Sequence, residues 1–356
     1  MKNVTRCSTI VLINVIKDDE VQVNNMSGFK DVVGHKNIIK YIQNAVTADA
    51  VSHAYILNGE RGSGKKLLAN LFAMSLQCEN RDPDGDACGK CHSCKQVMSG
   101  NQPDIIRVSH ENPTSIGVED IRKQVNSDIA IRPYSSKYKV YIIADADLMT
   151  VEAQNALLKT IEEPPEYAVI MLLTENAESL LPTIRSRCVM MKLRNIKDQL
   201  VKKYLMEQME IPDYKADVCV AFAQGNMGKA IMLANSEYFN EIKEEVVHLL
   251  RNIDEMTVPD LMEAVKRCMS YKLEISDYFD MIAIWYRDVL IYKATKNVDR
   301  VVFSDQMKYI RERAKKSSYE GIENILDALE KAKARMKANV NFELTMELLL
   351  LTIKEN

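Results

Sequence analysis

Four of the eight cysteines lie in one short segment, which makes them candidate metal ligands. They are Cys78, Cys88, Cys91 and Cys94, separated by nine, two and two residues. Four thiolates can close a tetrahedral Zn²⁺ site and leave no open coordination position, so the spacing predicts structural zinc rather than a catalytic metal. His92 is a weaker candidate ligand because it stands between two thiolates. The alternative is a degenerate or oxidised cluster that holds no ion.

A glycine-rich loop is the second candidate site. It follows an apolar run and precedes a helical pattern, and its motif residues are Gly59, Gly62, Gly64, Lys65 and Lys66. This strand–loop–helix context is typical of a P-loop, where backbone amides and a helix N-terminus surround phosphates. Lys65 stands at the phosphate-contacting lysine, but Lys66 replaces the Ser or Thr whose hydroxyl holds Mg²⁺. The alternative is a glycine-rich connection without a ligand.

A third candidate follows the apolar run Val140–Ala144. An active ATPase of this type ends the corresponding strand with Asp-Glu, which positions Mg²⁺ and the attacking water. Here Ala144 and Asp145 occupy those positions. Because Lys66 and Ala144 both alter Mg²⁺ handling, we predict that the chain does not hydrolyse ATP. Alternatively, Asp145 and Asp147 form a solvated turn that caps the next helix.

Arg187, in the tripeptide Ser186-Arg187-Cys188, is the fourth candidate. A surface arginine is one interpretation. The other is an arginine finger, which stabilises charge developing on the γ-phosphate of a neighbouring subunit's nucleotide. The residues around Arg187 leave both interpretations open.

The elements that must position these residues follow from the hydrophobic pattern. The sequence predicts five buried strands: Ala54–Leu57, Asp104–Val108, Val140–Ala144, Val169–Thr174 and Val189–Leu193. Helical patterns lie between them, including Glu152–Glu163, which Pro164-Pro165 ends. This alternation predicts an α/β domain with a parallel sheet. From about residue 195 onward only helical periodicity remains, so the rest is predicted to be all-α.

Composition limits the possible classes. The 356 residues are 47% apolar and 27% charged, enough for two or three folded domains. Formal net charge is −3, which disfavours a stand-alone nucleic-acid binder. No apolar run is long enough to span a membrane, and the clustered cysteines favour a cytoplasmic protein. Residues 1–25 are predicted to be an N-terminal extension, or the product of a start codon assigned before Met26.

Several motifs together resemble a known family. They are HAYILNGERGSGKK, CGKCHSC, YKVYIIADAD, NALLKTIEEPP, TIRSRC and NVNFELTMELLLL. Their order and spacing are similar to those of bacterial DNA polymerase III clamp-loader subunits, which are AAA+ proteins. The altered nucleotide site and the chain length resemble the delta-prime kind, which keeps the zinc knuckle and the SRC motif, more than the gamma/tau motor kind.

The resemblance implies an AAA+ architecture. It comprises a RecA-like domain over 26–194 with a zinc module at 78–94, a helical lid over 195–240 and a collar over 241–356 that oligomerises. Arg187 is implied to be the finger and Thr174 the sensor-1 position. Gly228 stands where motor subunits carry the sensor-2 arginine. The P-loop is implied to accept ATP or ADP without turnover.

The implied role is that of a stator in a pentameric assembly that loads the β sliding clamp onto primed DNA during replication. Partners are gamma/tau and delta subunits, the clamp and, through the assembly, DNA. The chain is then not an enzyme by itself but part of the DNA-directed DNA polymerase holoenzyme. Two alternatives are an active gamma/tau-type ATPase and an unrelated P-loop regulator that contains zinc.

Overall fold

A computed structural model describes residues 28–356, except Glu111, Pro113, Asp299 and Asn339 and the side chains of Leu273, Glu274 and Lys337. The predicted extension over residues 1–25 lies outside the described residues. The chain forms two compact units. The first comprises the chain up to Lys197 together with Asn226–Gly228, and the second comprises Asp198–Gly225 and Lys229–Asn356.

The first unit contains a five-stranded parallel sheet. Its strands are β1 (Ala54–Asn58), β2 (Ile105–Val108), β3 (Lys139–Ile143), β4 (Ala168–Thr174) and β5 (Val189–Lys192). Their order across the sheet is β2-β3-β4-β1-β5, and every neighbouring pair is parallel. The predicted α/β class is confirmed, and each predicted strand differs from the observed one by at most one residue at either end.

Both faces of this sheet are buried, which explains the continuous apolar runs. Alternate residues of a strand enter different cores: Tyr55 and Leu57 pack on one face, and Ala54 and Ile56 on the other. The helices of this unit are α1 (Lys36–Thr47), α2 (Lys65–Gln77), α3 (His92–Met98), α4 (Val118–Ile121), α5 (Val151–Glu162) and α6 (Pro182–Arg185).

The second unit is all-helical in its described part, as predicted. Its helices are α7 (Asp198–Gln208), α8 (Asp213–Ala223), α9 (Met227–Asn235), α10 (Glu237–Asn252), α11 (Val258–Cys268), α12 (Ile275–Thr295), α13 (Met307–Lys316), α14 (Tyr319–Lys337) and α15 (Phe342–Glu355), with Met227 and Gly228 of α9 assigned to the first unit. Helix α10 starts after Ser236, whose hydroxyl accepts the Phe239 amide at 3.1 Å. The predicted boundary between 240 and 241 therefore falls inside a continuous helix.

Buried charges in the second unit are paired. The Asp288 carboxylate is fully buried and accepts the Phe303 amide at 2.8 Å. Arg313 pairs with Asp254, which also pairs with Lys316 at 2.9 Å. Over the described residues, no helix is both long and apolar enough to cross a membrane.

Candidate functional site

The four clustered cysteines converge in space. The Sγ atoms of Cys78, Cys88, Cys91 and Cys94 all lie within 4.8 Å of one another. Two of the pairs, Cys78–Cys91 and Cys88–Cys94, are 4.0 Å apart. Tetrahedral zinc with Zn–S bonds of about 2.3 Å requires sulfurs about 3.8 Å apart, so only a small contraction is needed. The cluster could hold a metal ion, as the spacing predicts, and His92 does not join this group.

Backbone amides donate hydrogen bonds to these sulfurs, which favours the thiolate form that binds a cation. The amides of Cys88, Cys91 and Cys94 donate to the sulfurs of Cys78, Cys88 and Cys91 at 3.3, 3.3 and 3.4 Å. The backbone amides of Lys90 and Cys91 lower the pKa of the Cys88 thiol to about 7. Burial raises the pKa values of Cys78 and Cys94, whose thiolates therefore need a positive partner. An all-thiolate donor set of this kind fits zinc.

The glycine-rich loop connects β1 to α2. Gly62 and Gly64 adopt φ values of 80° and 94°, which favour glycine. Gly59 is required for space, because a Cβ there would lie 2.9 Å from the Leu193 Cβ as well as 2.7 Å from the Ser63 Oγ. Gly59 also donates its amide to the Thr174 carbonyl at 3.1 Å, which ties the loop to the end of β4.

Lys65 and Lys66 begin α2 and differ in environment. The Lys65 residue is 8% exposed, and its Nζ donates to the carbonyls of Gly59 and Glu60 at 2.5 and 3.0 Å. Burial lowers the pKa of Lys65. Lys66 is exposed, and the first turn of α2 contains no acidic residue. The first turn of α2 therefore carries two lysines, one buried and one exposed, and no carboxylate.

The segment after β3 does not cap α5. Asp145 has a left-handed φ of 49° and begins a separate short turn without a side-chain cap. Thr150 caps α5 instead, because its Oγ1 accepts the Ala153 amide at 3.2 Å. The Asp147 carboxylate accepts the Thr174 hydroxyl at 3.0 Å and the Glu175 amide at 3.2 Å. The interpretation of Asp145 and Asp147 as a capping turn is wrong.

Residues 226–228, which belong to the first unit, rest on the glycine-rich loop. The Gly228 amide donates to the Gly62 carbonyl at 2.9 Å, and the Asn226 side chain donates to the Arg61 carbonyl at 2.7 Å. A Cβ at Gly228 would lie 2.6 Å from the Gly62 oxygen. Position 228 has no room for an arginine in this conformation. Sequence reasoning identified the segment that contains Gly228 but did not predict the contact between Asn226 and Arg61.

Arg187 lies just beyond α6. Its Nη2 pairs with Glu162 at 3.0 Å, and its Nη1 donates to the Thr183 carbonyl at 3.0 Å. The side chain remains 40% exposed. Glu162 was not predicted as a partner, because it ends α5 on another element and no local pattern links it to Arg187.

Family models and relatives agree on the kind of protein. A family model described as DNA polymerase III, delta subunit, matches residues 34–197, and one described as DNA polymerase III, delta subunit, C terminal, matches residues 237–355. DNA polymerase III subunit delta' of Bacillus subtilis (strain 168) is 30% identical over 322 residues, covering 89% of this chain and 95% of that protein.

Tau and gamma subunits are also similar to this chain. DNA polymerase III subunit tau of the same organism is 28% identical over 87% of this chain, which spans only 58% of the tau length. Subunit gamma of Buchnera aphidicola subsp. Acyrthosiphon pisum (strain APS) is 34% identical over 58% of this chain and 57% of its own length. The similarity to delta' runs along nearly the whole of both chains, and the chain therefore belongs to the DNA polymerase III clamp-loader subunits, of the delta-prime type.

Proposed function

We propose that the chain serves as a stator that does not hydrolyse ATP itself and donates Arg187 to the nucleotide of a neighbouring motor subunit. One observation carries the first half of this proposal. Both protein groups that hold Mg²⁺ in a P-loop ATPase are replaced, by Lys66 and Ala144. An ammonium group and a methyl group cannot coordinate the ion, so the attacking water and the γ-phosphate lack their organising metal.

The surroundings of position 228 support the same conclusion. Gly228 lies against Gly62 and supplies no side chain. A cation that would stabilise phosphate charge from this position is therefore missing from the chain.

The setting of Arg187 supports its role as a finger in trans. Its guanidinium is partly exposed, and contacts to Glu162 and Thr183 hold it in place. An arginine that is oriented by its own chain and still accessible loses little conformational entropy when it meets a phosphate. Thr174, bound to Asp147, is proposed as the sensor-1 residue of the chain's own degenerate site.

The cysteine cluster is proposed to hold structural zinc. Cys78 follows the end of α2, whereas Cys91 and Cys94 belong to the start of α3. Bound Zn²⁺ would supply the positive charge that four adjacent thiolates require. These residues would then fix the end of α2 relative to α3. With all four positions occupied by sulfur, the site has a structural role.

The helical part is proposed to divide into a lid and an oligomerising collar, with the division near Ser236 rather than at 240, because α10 begins at Glu237. The proposed partners are gamma/tau and delta subunits, the β sliding clamp and primed DNA, met in the cytoplasm during replication. The relatives are themselves clamp-loader subunits, which supports a hetero-oligomer.

The test is ATP turnover by a reconstituted loader in which only this chain carries Arg187→Ala. Loss of a finger reduces turnover about 10³-fold or more at the one site it serves. Arg185→Ala is the matched control, since Arg185 lies two residues earlier and pairs with Glu178. Unchanged turnover by the Arg187 variant in an intact assembly would refute the finger. ATP hydrolysis by the isolated chain would favour the alternative, an active motor subunit, to which the tau similarity points.

A further inference from the structure

Two lysines begin helix α2, at the end where a helix favours negative charge. Lys65 and Lys66 are its first residues, and no acidic residue accompanies them in the first turn. The helix dipole and the unpaired amides make this end partially positive, so each lysine there is electrostatically unfavourable. A bound anion would interact favourably both with the two lysines and with the N-terminus of the helix. Helix α2 has 13 residues, long enough for the dipole to act.

Other charges around Lys65 are mixed. The pKa of Lys65 is lowered, mainly by burial. Nearby carboxylates act in the opposite direction and raise the pKa, whereas the positive charge of Lys66 lowers it further. The carboxylates are Glu175, Asp145 and Asp147. Asp147 already accepts two hydrogen bonds, from the Thr174 hydroxyl and the Glu175 amide. The Lys65 ammonium thus experiences both nearby carboxylates and a second ammonium.

Ser63 provides an independent observation within the same loop. The residue is 9% exposed, and its buried Oγ makes no hydrogen bond to any residue that the structure describes. The hydroxyl faces Gly59, since a Cβ built there would come within 2.7 Å of it. A buried polar group without a partner destabilises the folded state. An anion held by the loop would give this hydroxyl an acceptor.

Lys65 can donate a hydrogen bond to such an anion without leaving its observed position. Its ammonium has three N–H donors, and two are directed at the Gly59 and Glu60 carbonyls. One donor remains for a phosphate oxygen. The loop thus combines the N-terminal amides of α2, an ammonium group with one remaining donor and an unpaired hydroxyl within one short segment.

The residue types at this site indicate how the phosphate charge is balanced. A P-loop normally relies on Mg²⁺ held by Ser or Thr and by an Asp. Here those places are taken by Lys66 and Ala144, so a metal would have neither of its protein ligands. We propose that the Gly59–Lys66 loop binds the di- or triphosphate group of a nucleotide without a divalent metal ion, and that the Lys66 ammonium takes the place of Mg²⁺.

This binding goes beyond the stator role, which requires only Arg187 and a neighbour's nucleotide. The two proposals therefore fail separately. Loss of turnover with Arg187→Ala tests the finger, whereas the metal dependence of nucleotide binding by the isolated chain tests the loop.

The experiment is calorimetric titration of the full-length chain with ADP, ATP and pyrophosphate, in Mg²⁺ and in EDTA. Affinity in EDTA should equal that in Mg²⁺, and adenosine without phosphate should not bind. Lys66→Thr should weaken binding in EDTA at least about tenfold, the loss expected of one charge-assisted hydrogen bond. Added Mg²⁺ should restore part of the affinity of this variant, because threonine can ligate the ion.

Lys40→Thr is the control, since Lys40 is an exposed helical lysine on α1. Thermal unfolding of both variants verifies that they fold; Lys66 is exposed, so its exchange should leave the core intact. Three results would each overturn the proposal: no binding of ADP, ATP or pyrophosphate in either buffer, binding that requires Mg²⁺, or equal affinity of wild type and Lys66→Thr in EDTA.

Discussion

Replacing Gly228 with alanine should release residues 226–228 from the glycine-rich loop. The Gly228 amide donates to the Gly62 carbonyl at 2.9 Å. The added Cβ would lie 2.6 Å from that oxygen and 2.7 Å from the Gly62 Cα. Both are backbone atoms, so neither can rotate away as a flexible side chain would. Either the loop distorts or the contact opens.

The size of the effect follows from comparing these two responses. Forcing extra atoms into a packed contact costs about 1–3 kcal/mol. Opening the contact loses two hydrogen bonds, from Gly228 to Gly62 and from Asn226 to Arg61, at about 1 kcal/mol each. The contact therefore loses at most about 2 kcal/mol of stabilising free energy. Alanine also lowers the conformational entropy of the unfolded chain, which offsets about 0.4–1 kcal/mol of this loss.

Hydrogen exchange measures the opening directly. Protection of the Gly228 amide should fall by up to about 30-fold, the equivalent of about 2 kcal/mol. Gly117→Ala is the control in the same unit, because its φ is −83° and the nearest atom to its Cβ would be 3.5 Å away. Equal protection in wild type and Gly228→Ala would mean that these residues do not rest on the loop in solution, and would refute the reasoning.

Two further predictions concern the metal cluster and acid stability. The purified chain should contain stoichiometric zinc by elemental analysis, which Cys91→Ser should lose and Cys188→Ser, outside the cluster, should retain; a zinc-free wild type would refute the site. Burial alone would raise the pKa of Asp254, but hydrogen bonds from Lys316 and Arg313 bring it below its ordinary value of 3.8. Its stabilising contribution is therefore present above pH 3.8 and is lost as the pH falls through the lower folded-state pKa. Asp254→Asn should flatten this part of the acid unfolding profile. The control is Asp327→Asn, which changes an exposed aspartate on α14, and equal profiles for the two variants would contradict the pairing.

Local patterns predicted the sheet and the metal cluster well. A parallel strand buried on both faces appears in sequence as an uninterrupted apolar run, so the strand near Val169 was located to within one residue. The cysteine cluster is equally local, because its four cysteines lie within 17 residues of chain. The roles of Arg187, Lys65 and Thr174 stay predictions, since geometry alone does not test them.

Contacts between distant segments were beyond sequence reasoning. Asn226 reaches Arg61 across 165 residues, and Glu162 meets Arg187 only because α5 and the segment after α6 lie together. The cap of α5 was misassigned for a different reason. Asp and Thr both make good N-caps, and the left-handed backbone at Asp145 starts a separate turn, which leaves Thr150 as the cap.

The positions that would bind a metal ion differ from the positions that the fold requires to be glycine. Lys66 is exposed and Ala144 lies half-buried just beyond β3, whereas Gly59 and Gly228 admit no side chain. Folding therefore restricts the loop glycines closely and leaves position 66 free to vary, whereas Ala144 is restricted only by its packing against the core of the sheet. In such an architecture, an exchange at position 66 can change how the loop handles a metal ion while the loop keeps its shape.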